Sequence, residues 1–83
     1  MTGRRVYPNA EGHLVMAEGD YGLDPHAGWM VRPPGCHAGS ISKHTVVEHE
    51  DGTITVSPSI LHYGIDGKQA WHGYLERGVW RTC

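Results

Sequence analysis

The chain has 83 residues, of which 39% are apolar, with 12 glycines, 5 prolines and a net charge of −2 when histidine is neutral. That length makes one domain, with a thin core that calls for a metal, a disulfide or a partner. The slight acidity argues against the basic patch that nucleic-acid binding needs. No apolar run approaches the ~18 residues of a membrane-spanning helix, and no apolar stretch follows Arg4 and Arg5 as a secretory signal would require. A cytoplasmic product, or one packaged in a larger particle, is the expectation.

Residues 1–12 read as an N-terminal arm, polar and irregular from Met1 to Asn9, ahead of a single β domain over 13–83. His13 to Ala17 fits a short strand between Gly12 and Gly19. Gly19 to Gly28, with Asp20, Gly22, Asp24 and Pro25, reads as turn chemistry throughout. Trp29 to Val31 is a second short apolar run, and Pro33-Pro34 behind it excludes a central strand there. Lys43 to Glu50 alternates, and Asp51-Gly52 signals a two-residue hairpin turn. Thr53 to Ser57 follows with Ile54 and Val56 facing inward. Pro58 to Leu61 ends that strand as an edge segment, and Gly64, Asp66 and Gly67 mark a loop. Ala70 to Leu75 and Val79 to Thr82 form a second hairpin around Glu76-Arg77-Gly78. No helical period is sustained and no repeat recurs. The fold class is all-β: a small antiparallel sheet or sandwich built from hairpins.

Seven histidines stand out: His13, His26, His37, His44, His49, His62 and His72. Protonating all of them would carry the net charge from −2 to +5, so scattered surface histidines compete with a pH switch. The two cysteines, Cys36 and Cys83, leave three readings open. A disulfide would close a loop of about 48 residues, worth roughly 4 kcal/mol, but needs an oxidising compartment. Free buried thiols are the plain alternative. A structural zinc would contribute about 10–16 kcal/mol and takes thiolate and imidazole ligands. Cys36-His37 follows a tight Pro-Pro-Gly turn, and His72 lies on the strand opposite the one ending at Cys83. No C-x-x-C knuckle is present.

Five features in order carry a resemblance over roughly residues 29–83. Trp29 precedes Pro33-Pro34-Gly35-Cys36, and Asp51-Gly52 forms a hairpin. Thr53 to Leu61 includes Pro58-Ser59-Ile60, Trp71-His72-Gly73-Tyr74-Leu75 follows, and Gly78-Val79 leads to Cys83. In these the chain resembles a family of small domains of unknown function from bacteria and phages, whose phage members are often labelled ammonia monooxygenase without chemical support. The resemblance implies a structural zinc with Cys36, His72 and Cys83 as ligands. Pro33 and Trp71 stand where the family carries further cysteines, so His37 is the nearest fourth ligand, with His62 or His44 as substitutes. A host-cytoplasmic or virion location follows from the same resemblance.

A catalytic zinc would need an open ligand position, a general base and a pocket. Glu48, Glu50 and Asp51 qualify by type but cluster at a hairpin turn. No H-E-x-x-H, G-x-S-x-G or phosphate loop is present. A small metal-dependent hydrolase is therefore set behind two non-enzymatic readings. In the first, an accessory module presents Trp29, Trp71, Tyr74 and Trp80 to a host or phage protein, their alternative being core packing in a chain without Phe. In the second, the chain is a virion component, a capsid decoration or minor head protein, whose free arm orders against a neighbouring subunit or in a homo-oligomer. Neither reading involves nucleic acid or membrane.

Overall fold

Alternating apolar residues dominate the second half of the chain and build its larger sheet. The computed structural model describes residues 1–64 and 70–83, and the expected Asp66 and Gly67 loop positions fall outside the described residues. Among the described residues there is no helix. The strands are β1 (Arg4–Arg5), β2 (Asp20–Asp24), β3 (Gly28–Val31), β4 (Gly39–Ser40), β5 (Thr45–Glu48), β6 (Ile54–Tyr63), β7 (Ala70–Glu76) and β8 (Val79–Thr82). One sheet has the order β1-β2-β3-β4 and the other β5-β6-β7-β8. All pairings are antiparallel except that of β1 with β2.

A single core joins the two halves. Tyr21, Val31 and Ile41 meet Ile54, Val56, Ile60, Leu75 and Trp80. Each such aliphatic side chain contributes about 1.5–3 kcal/mol by leaving water. Ile54 and Val56 face inward as their alternation requires.

Both expected hairpins are present, with one change of turn. His49 and Thr53 pair across Glu50-Asp51-Gly52, with the Gly52 amide donating to the His49 carbonyl at 3.0 Å. Gly52 has φ +86°, so the connection is a three-residue loop with a glycine bulge, not the expected two-residue turn. The Asp51 carboxylate accepts from the Thr53 amide at 3.0 Å, fixing that geometry. The second hairpin does turn in two residues: Arg77 and Gly78 have φ +46° and +76°, the signature of a type I′ turn. Strand β6 does not end at Pro58. It passes through a bulge between Val56 and Ile60 and continues to Tyr63. Pro58 falls within that irregularity, where no ladder donor is required of it.

The first half departs further from expectation. His13–Ala17 is irregular instead of a strand, because Asn9 organises the backbone locally: its side-chain oxygen accepts from the amides of Glu11 and His13, both at 3.0 Å. Conversely, Asp20–Asp24 is a strand where turn chemistry was expected. Two of its turn-like residues, Asp20 and Gly22, meet tertiary demands. Asp20 is buried and accepts from Arg4 at 3.1 Å and from the Ala17 amide at 2.9 Å. Gly22 is required because a Cβ there would lie 2.5 Å from the Val6 carbonyl.

The first six residues of the arm are not irregular either. The Trp80 amide donates to the Met1 carbonyl at 2.8 Å, and the Gly3 amide to the Gly78 carbonyl at 2.7 Å. Thr2 thereby pairs with Val79 of β8. Two residues later the same chain pairs with β2, where the Val6 amide donates to the Tyr21 carbonyl at 2.8 Å. Residues 1–6 thus stitch the edge of one sheet to the edge of the other.

Candidate functional site

Period-two alternation divides the second sheet into a core face and an outer face. Along β7, Trp71, Gly73 and Leu75 turn toward the core while His72, Tyr74 and Glu76 turn away. On β8, Trp80 is buried, so Val79, Arg81 and the following Cys83 share the outer face. Beyond its bulge, β6 sends Ile60 inward and Leu61 and Tyr63 outward.

His72 and Cys83 are therefore neighbours, as their opposed strands imply. The Cys83 amide donates to the His72 carbonyl at 3.0 Å. Both residues are exposed. On the other side of β7, Ser59 Oγ lies 2.9 Å from His72 Nε2, which fixes the ring and leaves Nδ1 as its open nitrogen.

Cys36 occupies the opposite side of this sheet. It is fully buried, its backbone bridges to Gly64, and its thiol faces the His62 carbonyl at 4.0 Å. Burial pushes the Cys36 thiol pKa up, with the Trp71 amide acting in the other direction. His37, the next residue, is exposed. Of the four residues, the structure brings His72 and Cys83 together, while Cys36 is buried and His37 exposed. Among the described residues no three His, Cys, Asp or Glu side chains converge as a metal would need. Both cysteines are free thiols.

The two histidines named as substitutes, His62 and His44, are both partly buried. His62 lies on the core face beneath Gly39, whose added Cβ would stand 2.1 Å from His62 Nε2. His44 Nε2 is 3.1 Å from the Ser59 carbonyl. The Nδ1 atoms of both rings are buried without a hydrogen-bond partner. Burial, reinforced by His44, lowers the pKa of His62.

The four aromatic residues expected at a binding surface separate as well. Trp80 belongs to the core, only 3% exposed, with its indole N–H committed to the Gly19 carbonyl at 2.8 Å. Trp71 stands edge-on to it, ring centroids 5.3 Å apart, and Trp29 also packs on the core cluster. Tyr74 alone of the four turns to the outer face, under the Arg81 guanidinium at 4.9 Å. The large apolar side chains that do reach solvent on that face are Val47, Leu61, Tyr63 and Val79, with Leu61 61% and Tyr63 71% exposed. Their signal in the sequence was the same alternation that placed Ile54 and Val56 inside: beyond the bulge, Leu61 and Tyr63 flank the inward side of a strand on which Ile60 is buried.

Sequence reasoning also missed Arg5. Its guanidinium lies between the rings of Tyr7 and Trp29, at 4.9 and 4.8 Å. It also donates to Glu48 and to the Gly52 carbonyl, both at 3.0 Å. Nothing in the Arg4-Arg5 dipeptide distinguishes this stacked cation from its neighbour.

The candidate acid–base residues line an open cleft of about 520 Å³ with His49 and Arg77. Glu48 is held by Arg5, Asp51 by Thr53, and His49 by Thr55 at 2.7 Å. Among the described residues no serine or cysteine nucleophile lines it. No known protein family matches the chain, and neither the curated proteins nor the solved structures contain a match.

Proposed function

We propose that this chain is a non-enzymatic interaction module, an accessory domain of the zinc-binding kind that the phage and bacterial resemblance implies. The observation that carries the reading is the outer face of the second sheet. Val47, Leu61, Tyr63 and Val79 stand in solvent there while the core beneath is closed. Aromatic and aliphatic side chains in such a position are favoured contacts for a protein partner. The surface centres on Leu61 and Tyr63, with Tyr74, instead of on the tryptophans, whose alternative role in packing the structure supports. Two of the cleft's carboxylates, Glu48 and Asp51, are already engaged by Arg5 and Thr53, which lends no support to hydrolysis.

A virion component is the second reading. Its distinguishing feature was an arm that orders only against another subunit, whereas residues 1–6 pair within their own chain. That pairing favours the accessory module. Zinc stays in this reading through the exposed His72 and Cys83, the implied ligands that the fold brings together.

The test is affinity capture from host and phage-infected extracts with the full chain and a Leu61→Ser/Tyr63→Ser variant, whose fold is checked by circular dichroism. A partner retained by the parent and lost by the folded variant supports the module. Equal retention by both, or none by either, overturns it.

A further inference from the structure

The second sheet has two edges, and the chain treats them differently. The arm meets β8 through the pairing of Thr2 with Val79, whereas among the described residues β5 pairs with β6 alone. We propose that β5 is the edge through which two copies of this chain join their second sheets, antiparallel, about a two-fold axis at Val47. The inference goes beyond the partner-binding reading above and does not rest on it, since it uses the free edge of β5 and not the face centred on Leu61 and Tyr63.

The register of β5 on β6 determines which of its backbone groups are free. The His49 amide donates to the Thr53 carbonyl at 2.8 Å, and opposed residues of an antiparallel pair alternate between bonded and unbonded. Val47 with Thr55 and Thr45 with Ser57 are then the bonded pairs, while Val46 with Val56 and Glu48 with Ile54 are unbonded. The N–H and C=O groups of Val46 and Glu48 therefore point away from the sheet. Among the described residues no backbone group meets them there. The connection from β6 to β7 leaves and re-enters at the Tyr63–Ala70 pair, roughly 20 Å along β6 from Val56. Thr45, Val47 and Glu48 are exposed, Val47 to 51%. Natural edges are often kept single by a proline, a bulge or an unpaired charge. Strand β5 has no proline and no bulge, and its one charge, Glu48, is paired with Arg5 of its own chain at 3.0 Å.

Charge selects a second copy as the occupant. The segment around β5 is basic where it begins, at Lys43 and His44, and acidic where it ends, at Glu48, Glu50 and Asp51. It is complementary to itself when reversed, as a closed two-fold contact requires. Free groups must meet free groups, so Val46 of one copy faces either Glu48 or Val46 of the other. The Val46–Glu48 register sets Val47 against Val47 on the axis, an exposed apolar pair that association buries. It also carries Lys43 toward Asp51 of the second copy and His44 toward its Glu50. The Val46–Val46 register sets Val47 against Thr45 and Lys43 against His49, and gives up both gains. An edge of 4 residues buries less than the ~1,200 Å² of a standard interface, so the expected dissociation constant is on the order of 100 μM.

The experiment uses the full chain, reduced and free of tags, at concentrations up to about 1 mM. Molar mass is measured by sedimentation equilibrium and amide exchange by NMR. The variants are Val47→Lys, Val47→Glu and Leu61→Ser/Tyr63→Ser, each checked for fold by circular dichroism. Val47 is exposed, so its replacement removes no core contact. The expected result is a monomer–dimer equilibrium in the parent, with the Val46 and Glu48 amides gaining protection as concentration rises. Val47→Lys and Val47→Glu should each weaken association about tenfold or more, by setting like charges on the axis, and should associate with each other when mixed. Leu61→Ser/Tyr63→Ser should dimerise as the parent does. A parent that stays monomeric at about 1 mM overturns the proposal, even if a strand of another protein takes the edge. Self-association that both Val47 variants keep also overturns it. Its loss in Leu61→Ser/Tyr63→Ser alone would move the contact to the outer face, overturning the edge and leaving the partner-binding reading standing.

Discussion

The indole nitrogen of Trp80 donates to the main-chain carbonyl of Gly19 across 2.8 Å, tying the last strand to the entry of β2 from inside the core. Trp80→Phe keeps an aromatic ring but removes this donor. Loss of one buried hydrogen bond with some lost packing predicts a destabilisation of about 1–3 kcal/mol, and Trp80→Ala about 3–5 kcal/mol. Urea denaturation measures both. Equal stability of Trp80→Phe and the parent would show that the bond adds nothing.

Arg5 bonds two acceptors while lying between two rings, and lysine cannot reproduce that planar arrangement. Arg5→Lys is expected to lose on the order of 2 kcal/mol. A double-mutant cycle with Trp29→Leu should return a coupling of about 1 kcal/mol. Additive effects of the two substitutions would remove the stacked cation from the account.

Gly39 is required by the histidine beneath it. An added Cβ would sit 2.1 Å from His62 Nε2, so Gly39→Ala must displace the ring or part β4 from β6. A loss of about 1–3 kcal/mol is expected, in the range of overpacking substitutions. The same substitution in a His62→Ala background should cost much less. An undiminished penalty there would place the conflict in the backbone of β4.

Acid should weaken this fold through His62. Burial lowers its pKa below the usual 6.5 in the folded chain, so the unfolded chain binds the proton more readily. Stability is then level above the unfolded pKa, and falls as pH drops through about 6.5 until the folded pKa is reached. His62→Gln should flatten that acid limb in urea titrations run from pH 8 to 5. A parent whose His62 resonances titrate at or above 6.5 by NMR would contradict the sign.

The second sheet was legible because its information is local. Thr53 to Ser57 and Ala70 to Leu75 alternate, and Gly52 and Gly78 mark the turns. The length of the first loop was misjudged, since an Asp-Gly pair serves a two-residue turn and a three-residue bulged loop equally well, and Pro58 was read as a strand end where β6 only bulges. Strand β2 was hidden because Asp20 and Gly22 are chosen for Arg4 and for the Val6 carbonyl, not for extended backbone. The arm was hidden for the same reason: its partners, Gly78 and Trp80, lie at the far end of the sequence. At the candidate site, opposed strands already implied that His72 would meet Cys83. That Cys36 falls on the other face depends on its bridge to Gly64, a pairing no spacing in the sequence announces.

That bridge has a counterpart in the pairing of Thr2 with Val79, which constrains the order of assembly. A strand whose partner lies more than seventy residues away cannot dock during synthesis until nearly the whole domain has left the ribosome. The β5–β6 and β7–β8 hairpins, closed by short loops, form first, and the arm closes over them last. Much of the loop-closure entropy falls on that final event, so substitutions such as Gly3→Ala, where a Cβ would meet the Gly19 carbonyl at 2.7 Å, should act mainly by speeding unfolding, not by slowing the collapse of the hairpins.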